Sequence, residues 1–342
     1  VNIFTNKTEW SQFNEREMAA YKDAIFAHYR TVGYPYYVYS DDEKTAELHK
    51  LIAFPHEDLI DGQNVRQVMH SLGLAWSYHP HYIDVRCNDM RTVRETFEDD
   101  QVFRKVIDKR LLYSDCLTDN AIRKGLRVHT GTQGVSNFRP TAAAAIYHRF
   151  MPNGGTTWDM SSGYSGRLLG AFACDKVGRY VGTDPCALTF AGLQATATDI
   201  KRLVPERKLV VELHQLGSEL FVPEPGSIDL CFTSPPYFDT ERYSDEETQS
   251  YKKYPGREQW LYGFIADTLA NCRTGLKPGG VLALNVENTD TYPGLCYELV
   301  HHCQTTGWNW IDTMQLQLSR MMGAKHKGSF KYEPIFIFVK EN

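Results

Sequence analysis

The stretch Ile228-Asp229-Leu230-Cys231-Phe232-Thr233-Ser234-Pro235-Pro236-Tyr237-Phe238 carries the residues best suited to chemistry. An apolar strand runs straight into Ser-Pro-Pro-Tyr. Consecutive prolines fix φ and remove two backbone donors. They also hold Ser234 and Pro235 in an extended conformation. The product is a stiff loop at a strand's carboxyl end, with outward carbonyls, a hydroxyl beside them and an aromatic face. That set suits a planar heterocycle bearing an exocyclic amine. The Pro235 carbonyl and the Ser234 side chain accept its two N–H bonds, and Tyr237 stacks on the ring. Ser234, Pro235, Pro236 and Tyr237 are therefore the candidate catalytic residues. The same residues also suit a rigid turn with no chemistry, which a bare Pro-Pro would favour.

The segment resembles motif IV of the S-adenosylmethionine-dependent amino-methyltransferases of DNA, the N4-cytosine and N6-adenine class. Ser-Pro-Pro-Tyr is similar to the cytosine branch, whereas Asp/Asn-Pro-Pro-Tyr is more usual for adenine. Upstream, Thr157-Trp158-Asp159-Met160-Ser161-Ser162-Gly163-Tyr164-Ser165-Gly166 resembles motif I, a strand ending in Asp and a glycine turn into a helix. Glycines there let the backbone approach a cofactor, and the helix N-terminus can face its carboxylate. The resemblance implies cofactor contacts at Asp159, Ser161, Gly163 and Gly166. Tyr180-Val181-Gly182-Thr183-Asp184 resembles motif II, with Asp184 accepting the ribose hydroxyls and Pro185 beside it. A helix cap or turn is the other reading of Asp184. Gly217-Ser218-Glu219 sits where motif III would meet the adenine ring, which implicates Ser218. Asn137-Phe138-Arg139-Pro140-Thr141 resembles motif X, which packs on the cofactor through Phe138 and Pro140; helix entry is the alternative. Leu276-Lys277-Pro278-Gly279-Gly280 is similar to the turn before the fifth strand, and Ile335–Val339 to the closing strand.

The likeness runs from Gly134 to Asn342 and departs from the family twice. Motif I usually reads Asp-Pro-x-x-Gly-x-Gly; here Met160 replaces the proline and Ser165 precedes the displaced Gly166. The family also places target recognition after the catalytic motifs, whereas here it is expected in the N-terminal region or in the insert Asp239–Arg257. The implied reaction is methyl transfer from S-adenosylmethionine to a base amine in DNA, duplex or single-stranded, with cytosine N4 favoured over adenine N6. A duplex base must first be flipped out, at roughly a few kcal/mol. No metal is needed. Two other readings stand beside it: modification of RNA or another amine, and nucleic-acid binding without catalysis.

The elements that must position these residues follow from periodicity. The expected fold is α/β: a Rossmann-like, seven-stranded, mostly parallel methyltransferase sheet with a helix-rich N-terminal region. Candidate strands are Thr156–Met160, Arg179–Thr183, Leu209–Leu213, Ile228–Thr233, Gly280–Val286, Trp308–Gln317 and Ile335–Val339, with helical stretches between most of them. In such sheets ligands bind at the carboxyl ends of strands. Before them, helical patterns occupy Glu15–Tyr29, Glu43–Phe54, Gln63–Leu72, Val93–Phe97 and Asp100–Leu112, and Pro140–Phe150 opens with proline in its first turn. The rhythm changes near residue 133, giving an expected division into residues 1–133, a possible recognition region, and 134–342, the methyltransferase domain.

The chain has 342 residues, with 37 Lys+Arg against 42 Asp+Glu, for a formal charge of -5. That balance excludes a protein held on nucleic acid by bulk positive charge. Contact must use local patches: the insert with Arg242, Lys252 and Lys253; the run Arg320, Lys325, His326 and Lys327; and the run Arg123, Lys124, Arg127 and His129. Each could equally be a solvated face. Eight cysteines without a C-x-x-C pair read as thiols in a reducing, cytoplasmic setting. His70, His79, His81 and Cys87 are the nearest approach to a metal-ligand set, and an aromatic packed loop explains them better. Cys186 follows the wrong strand for a cytosine-attacking nucleophile. No apolar run approaches the ~20 residues of a membrane span, and Val1–Lys7 shows no signal pattern.

Overall fold

The computed structural model describes residues 3–320 and 330–340. Contacts divide the chain into two units: Val1–Tyr37 with Pro80–Ser136 and Glu241–Tyr243, and Val38–His79 with Asn137–Thr240 and Ser244–Asn342.

The larger unit is built on a sheet of seven long strands: β1 (Gly155–Asp159), β2 (Val177–Thr183), β3 (Val210–His214), β4 (Ile228–Thr233), β5 (Leu276–Asn285), β6 (Trp308–Arg320) and β7 (Phe330–Lys340). Their spatial order is β3-β2-β1-β4-β5-β7-β6. The first five are mutually parallel, and β7 runs antiparallel between β5 and β6. This is a Rossmann-like, mostly parallel α/β sheet, as expected. The pleat sends alternate residues to opposite faces, so each strand serves two cores. Leu230, Phe232, Ile335 and Ile337 join one cluster, and Cys231, Phe336 and Phe338 the other. Apolar residues on both faces explain why these strands read as nearly continuous hydrophobic runs. Each large side chain so buried contributes about 1.5–3 kcal/mol.

Helices α1 (Pro140–Phe150), α2 (Gly166–Ala173), α3 (Ala187–Leu203), α4 (Ala266–Gly275) and α5 (Leu295–Thr305) accompany the strands. Pro140 stands at the first turn of α1, where its missing N–H is no loss. The alanine run behind it lets α2 approach: a Cβ on Gly170 would lie 2.5 Å from that of Ala143. The helix Asp41–Ile52 also belongs to this unit, and Lys44 pairs with Asp199 of α3 at 2.7 Å.

One local expectation fails. Gln63–Leu72 is not a helix: Ile60–Asp61 and Asn64–Val65 form a two-strand hairpin, and helix resumes only at Leu72–Ser77. Gly62 at φ +59° makes the turn, and Asn64–Val65 extend the sheet beside β6. Pairing to a strand about 250 residues away overrides a weak helical period.

The smaller unit is helix-rich, with Glu15–Val32, Val93–Glu98, Asp100–Tyr113 and Asp119–Arg127. Capping boxes at Asn14/Glu17 and Thr92/Glu95 start two of these helices. Tyr29, Phe97 and Phe103 are buried in it, and the Arg30 guanidinium lies 4.8 Å from the Phe103 ring centre. A short antiparallel ladder joins Arg86–Cys87 to Glu241–Arg242.

Candidate functional site

The carboxyl end of β1 sets the geometry. Asp159 is fully buried, and both oxygens are engaged by side chains of the protein. Oδ2 accepts from Arg167 Nε at 2.9 Å and Tyr180 OH at 2.7 Å, and Oδ1 from Thr233 Oγ1 at 3.0 Å. Arg167 also donates to the Ser161 carbonyl, and the Ser161 amide donates to Thr233 Oγ1 at 3.1 Å. Thr233 immediately precedes Ser234. One buried carboxylate thus ties the glycine turn to the Ser-Pro-Pro-Tyr loop.

The turn itself needs left-handed backbone at Gly163 (φ +57°) and Ser165 (φ +61°). Ser165 is held there by His79 Nε2 at 2.7 Å and Thr196 Oγ1 at 2.8 Å. The Asn137–Phe138 segment lies against this turn. A Cβ on Gly166 would come 2.0 Å from the Phe138 carbonyl, and Asn137 Nδ2 donates to the Tyr164 carbonyl at 2.9 Å. Phe138 meets Phe232 edge-on at 5.4 Å, and Pro140 is buried behind it.

Asp184 stands just beyond β2. Its Oδ2 accepts the Gly163 amide at 2.9 Å and its Oδ1 the Cys186 amide at 3.1 Å. Burial pushes its carboxyl up to about 6, while those two amides pull the other way. Pro185 leads from it into α3, whose first amide, at Ala187, donates to the Glu246 carboxylate at 3.1 Å. Cys186 is a buried free thiol.

Ser218 and Glu219 open a short 3-10 turn after β3. The Ser218 hydroxyl pairs with Thr268 at 2.8 Å. Glu219 is buried; one oxygen takes Lys253, and Oε2 has no hydrogen-bond partner among the described residues.

At the end of β4, Ser234 Oγ lies 3.1 Å from Tyr237 OH, which donates to the Asn285 carbonyl at 3.3 Å. Pro235 is buried, whereas Ser234, Pro236 and Tyr237 are half-buried. Phe238 at φ +59° turns the chain away, and the Thr240 amide bonds back to the Tyr237 carbonyl at 3.2 Å. A small, mainly apolar cavity is lined by Met160, Ser161, Ser218, Thr233, Pro235 and Thr268, among others. Residues from the segments that resemble motifs I, III and IV therefore line one cavity.

Residues 228–342 match the protein-family model N6_N4_Mtase, described as DNA methylase. The match covers about a third of the chain. It spans β4 through β7 and contains the Ser-Pro-Pro-Tyr loop. No curated protein matches the chain. Similar solved structures include a methyltransferase from Pyrococcus furiosus, 15% identical with TM-score 0.39, covering 69% of this chain and 98% of that one. N-methyltransferase NodS from Bradyrhizobium japonicum WM9 is 10% identical with TM-score 0.37, covering 58% and 94%. An rRNA methylase from Streptococcus thermophilus is 13% identical with TM-score 0.37, covering 61% and 100%. These likenesses are distant.

Arg167, Tyr180, Thr233, Thr268 and Asn285 also build the site, and the sequence motifs pass them over. The only signal for Arg167 was a cation one place after the glycine turn. Of the basic groups in the insert, Arg242 pairs with Asp89 at 2.9 Å, Lys252 with Glu247 at 3.0 Å, and Lys253 with Glu219, while Arg257 lies 5.5 Å over the Tyr292 ring. Arg123 stacks on Tyr37 at 3.9 Å, Arg127 donates to the Val135 carbonyl at 2.6 Å, and Lys124 is exposed. Lys325, His326 and Lys327 lie outside the described residues, as does the side chain of Arg320. Among the described residues no three His, Cys, Asp or Glu side chains group as a metal site requires. No described helix is long and apolar enough to cross a membrane.

Proposed function

We propose that the protein transfers the methyl group of S-adenosylmethionine to an exocyclic amine of a nucleobase. The observation that carries this is the Ser-Pro-Pro-Tyr loop at the end of β4, joined through Thr233 and Asp159 to a glycine turn. The residues present fit the cofactor. The Gly166 position has no room for a side chain because motif X backbone closes on it, Gly163 requires positive φ, and Glu219 keeps a buried oxygen unpartnered. Gly163, Ser161 and the start of α2 would receive the methionine end, Asp184 and Pro185 the ribose, and Ser218 and Glu219 the adenine. Phe138 and Pro140 back the turn, and Asp159 shapes it from behind.

Bound there, S-adenosylmethionine supplies an electrophilic methyl group: the amine nitrogen forms the new N–C bond, the S–C pair stays on sulfur, and nitrogen sheds one proton to water. The protein's own part is positioning and electrostatics. The Pro235 carbonyl and Ser234 accept the amine hydrogens, Pro236 stiffens the loop, and Tyr237 stacks on the base. The family description of residues 228–342 supports DNA as carrier, and Ser at the first motif position supports cytosine N4 over adenine N6. A second reading is RNA or another amine substrate; within it, the net charge of -5 and the pairing of Arg242, Lys252 and Lys253 favour an amine outside nucleic acid, since RNA is as anionic as DNA.

The deciding experiment incubates the protein with labelled S-adenosylmethionine and duplex DNA, single-stranded DNA or RNA, then identifies the nucleosides by mass. Label as N4-methylcytosine or N6-methyladenine from DNA supports the main reading, and label only in RNA supports the second. Calorimetry that shows no heat with S-adenosylmethionine, and no change on Asp184→Ala, would defeat both. Ser234→Ala should lower turnover by about tenfold or more with cofactor affinity retained; full turnover on every substrate would remove Ser234 from its role.

A further inference from the structure

A serine hydroxyl carries one proton as well as lone pairs. If Ser234 is to accept from a target amine, that proton must point elsewhere. The Ser234 and Tyr237 hydroxyl oxygens are 3.1 Å apart, and Tyr237 OH donates to the Asn285 carbonyl at 3.3 Å. A phenol has a single proton. With that proton committed to Asn285, the Ser234–Tyr237 bond is donated by Ser234.

The acceptor is held by the sheet. Asn285 is the last residue of β5 and is buried; its Nδ2 donates to the Pro334 carbonyl at 3.1 Å, and it pairs in register with Ile335 of β7. The antiparallel strand β7, inserted between β5 and β6, therefore fixes the carbonyl that sets the Tyr237 proton.

We infer that the Tyr237 hydroxyl, clamped by the Asn285 carbonyl, turns the Ser234 proton away from the substrate, so that Ser234 meets the target amine with lone pairs alone. This rests on the proposed methyl transfer. It gives Tyr237 two separable parts: the ring stacks on the base, and the hydroxyl is a positioning group that acts through Ser234. An asparagine at position 234 would present a carbonyl oxygen that carries no proton, so it would not need the clamp.

The test compares the unmutated protein with Y237F, S234A, S234N, S234A/Y237F and S234N/Y237F. Single-turnover transfer is followed from labelled S-adenosylmethionine to amplified unmodified DNA and to RNA transcribed in vitro. Y237F keeps the ring, so cofactor and nucleic-acid affinities should change less than about twofold, while the transfer rate at saturation falls about tenfold. Adding Y237F to S234A or to S234N should change nothing further. Y237F at the unmutated rate, or an equal loss in all three backgrounds, overturns the inference. An unmutated protein that labels neither DNA nor RNA overturns the proposed function itself, and the inference with it.

Discussion

At the residue scale the site depends on two buried carboxylates with opposite circumstances. Asp159 is balanced by Arg167, Tyr180 and Thr233, and no route from it to solvent remains. Removing the guanidinium would leave the charge buried and unpaired. Arg167→Met should therefore destabilise the fold by about 3–5 kcal/mol, measured as a lower urea midpoint with the slope unchanged. Against its desolvation Asp184 has two backbone amides and a weaker pull from the Arg167 charge, and its carboxyl is raised to about 6. In the unfolded chain it titrates near 3.8. Between those values the folded state binds more protons, so this group's contribution to stability is full below the unfolded value and is lost as pH rises through about 6. Cofactor binding has the opposite sign, because the ionised form is the better acceptor for ribose hydroxyls. Affinity for S-adenosylmethionine should rise as pH is raised through about 6, and titrations from acid to neutral pH on Asp184→Asn should lose that step.

At the element scale, the glycine turn is a meeting of α1's entry, α2's first residue and the ends of β1 and β2. The contact is close enough that a methyl group has no place: the Gly166 Cβ would stand 2.0 Å from the Phe138 carbonyl. Gly166→Ala should lower stability by about 1–3 kcal/mol and weaken cofactor binding together with it, read by thermal melts with and without S-adenosylmethionine. The insert after the Ser-Pro-Pro-Tyr loop is anchored at two points of the larger unit. Glu246 accepts the first amide of α3, and Lys253 pairs with buried Glu219. Lys253→Met removes one anchor, so limited proteolysis should cut within residues 244–254 faster than in the unmutated protein. The insert was readable as polar and aromatic, hence as part of a substrate cleft. Its anchoring was not readable, because Glu219 and Lys253 are 34 positions apart and neither belongs to a motif that specifies the other.

At the scale of the whole molecule, Lys and Arg nearly balance Asp and Glu in the smaller unit, so the excess of acid lies in the unit that carries the sheet. A nucleic-acid substrate would then release few counterions. The slope of log affinity against log salt should be shallow, corresponding to about two or three phosphates; a much steeper slope would show a basic surface that the insert, with Arg242, Lys252 and Lys253 ion-paired, does not supply. The centres of the seven strands and the Ser-Pro-Pro-Tyr loop were legible in the sequence, although the strands at Leu276–Asn285, Trp308–Arg320 and Phe330–Lys340 run beyond their expected bounds. A continuous apolar run and two adjacent prolines are local constraints that act whatever surrounds them: Ile228–Thr233 is both the expected and the observed strand. Tertiary structure alone decided that Gln63–Leu72 would not be a helix, that β7 would run antiparallel between β5 and β6, and that Asp159 would face Arg167, Tyr180 and Thr233. Those outcomes depend on partners up to about 250 residues away. A buried charge or an edge strand takes the partner that satisfies it in the packed state, and that choice leaves no period or spacing in the chain.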